Sequence, residues 1–266
     1  MGYNRRIRRP RSRFINPFPS RSSATSIFQG NPNLDPFLSD AVDLGYLNRI
    51  GKVTLNTSIY YQHSSDVFSF VSEPTGEVVE FNGQEVPVIR RTPLNLDTND
   101  RYGFEFNVTY SPTRKWRANA NFNVFHSVTR GQNSLGESLD AENTTWFARI
   151  GNKITLPGSI DWQTTAVYRG PSVTAQSRNQ GIFSMNLAFS KDLFKEKASL
   201  AFNVSDLLNS RKRISESFAP SFFGDSEFQW RERSFNISFT YRFNQKKKRE
   251  RPSRSNFDGE GEEFGS

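Results

Sequence analysis

The sequence predicts an all-β fold, an antiparallel up-and-down barrel that crosses a membrane, on three observations. The first is alternation. Across residues 233–243, Phe235, Ile237, Phe239, Tyr241 and Phe243 share one side, and Ser234, Asn236, Ser238, Thr240 and Arg242 the other. Successive strand side chains point to opposite faces, so this segment separates an apolar medium from a wet one. The second is composition. Hydrophobic residues make up only 35 % of the 266-residue chain, yet aromatics reach 14 %, led by 25 Phe. A water-soluble core leans on Leu, Ile and Val, whereas aromatic rows backed by Asn, Ser and Thr suit a wall between lipid and water. The third is the rhythm of the connections: short ones near 49–52, 111–115, 157–159 and 191–196 alternate with long ones at 9–39, 67–99, 129–143, 170–181 and 208–230. Outer-membrane barrels have short periplasmic turns and long extracellular loops.

Taken in order, the alternation predicts about ten strands. Residues 3–8 form a short first strand. Residues 40–48 place Val42, Leu44 and Tyr46 toward lipid, and 52–66 place Val53, Leu55, Ile59 and Tyr61. Residues 100–110 carry Tyr102, Phe104, Phe106, Val108 and Tyr110; residues 115–128 carry Trp116, Ala118, Ala120, Phe122, Val124 and Val128. Residues 144–156 present Trp146, Ala148, Ile150, Ile154 and Leu156, and 160–169 present Ile160, Trp162, Ala166 and Tyr168. Residues 182–190 use Phe183, Met185, Leu187 and Phe189, and 197–207 use Ala198, Leu200, Phe202 and Val204. Residues 233–243 close the series at Phe243, the terminal aromatic. Most of these segments reach the roughly 9–11 residues that cross a bilayer at a tilt.

Composition removes other classes. No run of about 18 apolar residues exists, and mean hydropathy is −0.67, so no helix of the chain spans a membrane. There is no Cys, which removes disulfides, thiol catalysis and thiolate metal sites. The net charge of +8 gathers largely in two terminal clusters, Arg5 to Arg13 and Lys246 to Arg254, and no nucleic-acid recognition module lies between them. The first residues lack the apolar stretch of a secretion signal, so the true N-terminus is expected upstream. Residues 1–243 are read as barrel, and 244–266, basic then acidic, as a disordered periplasmic tail.

The predicted inward positions are short: Asn56, Ser58, Asn107, Asn186, Ser199 and Asn203 among them. A closed barrel of about eight strands is filled by its own side chains. Small polar residues instead suit a wide lumen holding water or a separate plug, so the strands look like a sector of a larger cylinder. Alone, a sector leaves two unpaired edges, which do not survive in hydrocarbon. Four sequon-like triplets, at Asn56, Asn107, Asn203 and Asn236, lie inside strands and fit the wet wall better than glycosylation.

Several segments carry a family resemblance. Gln29-Gly30-Asn31-Pro32-Asn33-Leu34-Asp35-Pro36 resembles the GNPxLxP signature that precedes a barrel strand in TonB-dependent receptors. Tyr3 to Pro10 and Asn16-Pro17-Phe18 resemble the run-up to it in a related outer-membrane β-barrel family. Val204 to Asn209 and Tyr241-Arg242-Phe243 are similar to that family's last two strands. Phe37 follows the second Pro where the family usually has an acidic residue, and a tail continues past Phe243. The resemblance covers residues 3–243 and implies the C-terminal part of a larger barrel, about 22-stranded like the plugged outer-membrane transporters. It implies a location in the Gram-negative outer membrane and uptake of a scarce nutrient such as a metal chelate or glycan fragment. Its partners would be membrane lipid, the missing strands and plug, the TonB system through the missing N-terminal part, and the barrel assembly machinery.

No catalytic constellation emerges, and no cofactor or metal is expected. His63 and His126 have no ligand-like spacing to each other, and Asp258, Glu260, Glu262 and Glu263 lack the EF-hand spacing. Lumen-facing polar candidates are Arg101, Glu105, Asn119, Asn121, Asn123, Arg149, Asp161 and Arg169, with Glu105 and Asp161 expected to pair with the arginines. The long loops offer Phe68, Phe70, Phe81, Arg90, Phe222, Phe223 and Trp230 to an external ligand. Two other readings compete: a self-contained barrel of structural or adhesive role, and an outer-membrane hydrolase, which the lack of a paired His/Asp site argues against.

Overall fold

The computed structural model describes residues 1–81, 83–133, 136–219 and 222–243; the tail 244–266 and the side chains of Phe81 and Phe222 lie outside the described residues. In chain order the elements are β1 (Gly2–Arg8), α1 (Ser12–Ile15), β2 (Ser20–Ser23), β3 (Ser26–Phe28), β4 (Phe37–Ile50) and β5 (Val53–Phe81). They continue with β6 (Gln84–Thr113), β7 (Trp116–Arg130), β8 (Ala141–Leu156), β9 (Ile160–Arg169), β10 (Ser172–Thr174) and β11 (Ser177–Asn179). The last are β12 (Ile182–Leu193), β13 (Ala198–Ser205), β14 (Arg213–Ala219), β15 (Phe222–Phe228) and β16 (Ser234–Tyr241).

Ten strands make one antiparallel wall in the order β1-β4-β5-β6-β7-β8-β9-β12-β13-β16. Chain neighbours pair wherever a short turn joins them, the meander that the alternating connections require. The wall is open: among the described residues β1 and β16 pair with no strand on their outer sides, and all eight residues of β16 are exposed.

Register sorts the side chains because directly opposed residues share a face. Leu44, Ile59, Phe104, Val124 and Trp146 form one continuous row across β4 to β8. Leu47, Asn56, Asn107, Asn121 and Arg149 form a row on the other face. The apolar rows stay uncovered: Ile59 is 56 % exposed, Ile150 58 % and Ile237 72 %. A wall one strand thick has no interior of its own, so apolar rows of this extent need an apolar medium. In the wall itself Ala198 and Val204 of β13 are buried, but the cluster of buried apolar side chains lies beyond it, at the end carrying the long connections. Val71, Leu96 and Leu139 pack together there, and Val88 is fully buried.

Two expectations change. Residues 67–99 are not an irregular loop: β5 and β6 run 29 and 30 residues as one hairpin reaching far past the wall. Apolar residues stand on both faces here, Phe68 and Phe70 on one and Val67 and Val71 on the other, and the ladder absorbs the prolines, Pro74 at a register shift, Pro87 paired with Val78 and Pro93 with Phe70. Asn82-Gly83 is the strongest short-range hairpin signal, and Gly83 takes φ +76 between the paired Phe81 and Gln84. Likewise 170–181 and 208–230 hold a second sheet, β10-β11-β14-β15. The polar face is also less uniformly small than expected. Tyr60, Phe125 and Phe147 lie on it, and Tyr60 Oη donates to Asn123 Oδ1 at 3.2 Å.

Candidate functional site: an arginine-lined cleft

The 29–36 motif explains how the long hairpin is held. Gly30 N donates to Asn16 O at 2.9 Å and Asn31 N to Phe14 O at 2.7 Å. A Cβ on Gly30 would sit 2.5 Å from Asn16 O and 2.7 Å from Phe14 O, so only glycine allows this approach. Asn31 Nδ2 then reaches Pro93 O, and Asp35 and Asn95 exchange two hydrogen bonds of 3.0 Å each. Phe14 meets Phe68 and Phe70 edge-on at 5.9 and 5.2 Å, and Phe37 meets Phe68 at 5.2 Å. Edge-to-face rings at such separations add roughly 0.5–1.5 kcal/mol per pair beyond their burial. The N-terminal segment is thereby pinned to one side of the hairpin, and β3 runs parallel beside β6.

The small sheet is tied to the hairpin by one side chain. Gln176 Oε1 accepts from Ser72 N at 2.9 Å while its Nε2 donates to Ser72 O at 3.2 Å. Val173 N donates to Asn143 Oδ1, which ties the sheet to β8 as well. Between these bodies lies a cleft of about 540 Å³. Its far wall is the sheet face made by the opposed pairs Ser172–Asn179, Thr174–Ser177, Ser177–Ser217 and Asn179–Ser215. The near wall is Ser69, Phe70, Ser72 and Arg91 of the hairpin, and Arg169, Arg213 and Ile182 are among the residues that also line the cleft. Alternation sends Arg178 and Glu216, opposed to each other on β11 and β14, to the reverse face.

The charge balance of the cleft is one-sided. Three arginines line it, and no Asp or Glu is among the described residues that do. Arg91 lies with its guanidinium 4.6 Å from the Phe70 ring centroid, a cation–π contact that fixes the group. Desolvation by the cleft walls, then the like charge of Arg213, holds its pKa below the ordinary guanidinium value. Guanidinium remains protonated at neutral pH regardless, so the cleft carries concentrated positive charge.

The expected site residues divide. Arg101, Glu105, Asn119, Asn121, Asn123, Arg149, Asp161 and Arg169 all stand on the polar face. The carboxylates do not take arginine partners: Glu105 Oε1 accepts from Asn107 and Asn121, and Asp161 from Thr155 Oγ1 at 2.7 Å and Lys153 Nζ at 3.0 Å. Asn107 lies two positions along β6 from Glu105 and Thr155 directly opposite Asp161, while Asn121 and Lys153 lie diagonally across the strand pairs. Arg101 stacks over Phe125 at 4.6 Å instead. Of the external candidates, Phe70 lines the cleft while Phe68 is occupied by Phe14 and Phe37. Arg90 approaches Glu73 at 3.7 Å, and Phe223 and Trp230 project outward, 68 % and 70 % exposed. Phe243 lies 4.6 Å from Tyr241, just past β16. Arg91, Arg213, Gln176 and the serine face were missed, because all sat in segments read as loops; strict alternation in Ser172–Thr174 and Arg213–Ser217 was the available signal.

Comparison with known proteins fits this architecture. The chain resembles the solved structure of the copper transporter OprC over 91 % of its own length, at 14 % sequence identity and a TM-score of 0.53, a likeness of fold. It spans 36 % of that chain. No curated protein matches the sequence. The sequence profile of the outer membrane protein beta-barrel family matches residues 1–241, and the chain therefore belongs to that family of the Gram-negative outer membrane.

Proposed function

We propose that this chain forms part of the wall and external mouth of a TonB-dependent-type transporter that takes up a scarce solute. The observation that carries the reading is the open ten-stranded wall with its broad polar face, β1 and β16 each offering an unpaired edge. Sheet edges do not persist in hydrocarbon, so further strands complete the cylinder. A wall of about ten strands that spans 36 % of a transporter chain of like fold supports a sector of a larger barrel. The short turns of β4–β5, β6–β7, β8–β9 and β12–β13 support a periplasmic side at that end and a hairpin and cleft outside the cell. The neighbour of like fold is a copper transporter; among the described residues here no three His, Cys, Asp or Glu come together.

The test is to isolate the native polypeptide from outer membranes and sequence it by mass spectrometry, alongside solute uptake by cells with and without the gene. The proposal expects a longer chain containing a plug upstream of residue 1 and a solute whose energised uptake is lost on deletion. A native product consisting of this wall alone, closed on itself, overturns it.

A further inference from the structure

We propose that the cleft between the long hairpin and the small sheet binds a polyhydroxylated anionic solute, a short acidic carbohydrate whose negative groups engage Arg91, Arg169 and Arg213. The proposal deepens the uptake reading and rests on it for the solute's onward path, but the binding itself stands separately. Two features of the cleft select this chemistry together. The arginines supply forked donors around one space, with no carboxylate among the described residues of the lining to neutralise them. Burial first, and then the like charge of Arg213, disfavours the charged form of Arg91, and an arriving anion relieves both.

The second feature is the wall of hydroxyls and carboxamides. Ser172, Thr174, Ser177, Asn179, Ser215 and Ser217 occupy one face of a sheet whose register repeats them in rows. Each such group both donates and accepts, which matches sugar hydroxyls and would be superfluous for a bare inorganic anion. Phe70 adds an apolar ring on the opposite, hairpin wall, held by Arg91 on one side and Phe14 on another. A cleft of about 540 Å³ falls within the size of small-ligand sites, roughly 300–1,000 Å³. Gln176 and its two bonds to Ser72 keep the two walls at fixed separation, so little ordering accompanies binding. The position of Arg169 at the end of β9, on the polar face, connects the cleft to the lumen.

The experiment uses the full native gene product purified in detergent, with calorimetric titration of three probes: trigalacturonate, neutral maltotriose of equal length, and inorganic phosphate. Trigalacturonate is expected to bind at least tenfold more tightly than either comparison probe. Arg91→Gln and Arg213→Gln should each weaken it roughly tenfold, as loss of a charge-assisted hydrogen bond implies. Ser215→Ala with Ser217→Ala should weaken it several-fold while leaving phosphate unchanged. Heat-modifiable gel mobility verifies that each variant folds, and Phe194→Ala, exposed in the turn after β12 and outside the cleft, serves as a folded control. Equal binding of maltotriose, or of phosphate, overturns the assignment, as does arginine substitution without effect in a folded variant. Binding without energised uptake in cells sinks the transport reading alone; uptake of another solute with no trigalacturonate binding sinks the cleft assignment alone.

Discussion

Replacing Leu187 by arginine probes the wall where its two faces differ most. Leu187 is the sixth of the twelve residues of β12, set between Thr164 and Val204 on the apolar face. Its position midway along a spanning strand places an introduced guanidinium near the bilayer centre, where such a charge costs about 2–4 kcal/mol. At 1.36 kcal/mol per decade, that is a shift of roughly 30- to 900-fold in the folding equilibrium. The adjacent Asn186 faces the other way, opposite Thr165, and its Oδ1 accepts from Asp206 N at 2.9 Å. Asn186→Arg loses that single bond and keeps its charge in water, so its cost is about 1 kcal/mol. Equilibrium urea titrations of the native gene product in lipid vesicles, followed by tryptophan fluorescence, give both values. Equal costs at the two positions, or a larger one at Asn186, refute the assignment of faces.

Gly30→Ala should release the N-terminal segment from the hairpin, because backbone atoms of Asn16 and Phe14 stand within 2.7 Å of the new carbon; trypsin should then cut at Arg11 or Arg13 markedly faster than in the parent, and an unchanged rate would contradict the docking. Gln176→Ala removes both bonds to Ser72, about 1–3 kcal/mol of local stability, and should speed amide exchange across β10 and β11 without altering the wall. Gly103→Val places carbon 2.6 Å from Val124 O and 2.7 Å from Tyr60 Oη, a cost of roughly 1–3 kcal/mol seen in the thermal midpoint. Adding Tyr60→Ala should not restore the loss, since the clash with the Val124 backbone remains.

The wall was legible because each spanning segment must repeat one chemical choice every second residue. Phe104, Phe106 and Val108 against Glu105, Asn107 and Thr109 leave no other periodicity, and the facing of each side chain in β6 follows from it. What lay beyond the membrane was harder to read. There both faces of a strand meet water or protein, so the alternation of 67–81 and 84–99 relaxes, and Pro74 and Pro87 resemble breaks although the ladder runs past them. The cleft depends on Arg91, Arg169 and Arg213 converging from β6, β9 and β14, segments far apart in sequence. No local pattern encodes that meeting. The GNPxLxP segment stood out as a motif, yet its work of pinning Asn16 and Phe14 against the hairpin needed the hydrogen bonds of Gly30 and Asn31 to be seen.

The most direct measurement exploits the absence of cysteine from the chain. Single substitutions Ile150→Cys, Leu200→Cys and Ile237→Cys on one face, and Thr165→Cys, Ser199→Cys and Asn203→Cys on the other, are labelled with bimane in the native protein reconstituted in vesicles. Brominated lipid tails should quench the first three and aqueous iodide the last three. Iodide quenching of the Ile150, Leu200 and Ile237 sites, with the Ser199 and Asn203 sites answering to brominated lipid, would contradict a wall that turns its aromatic rows to the membrane.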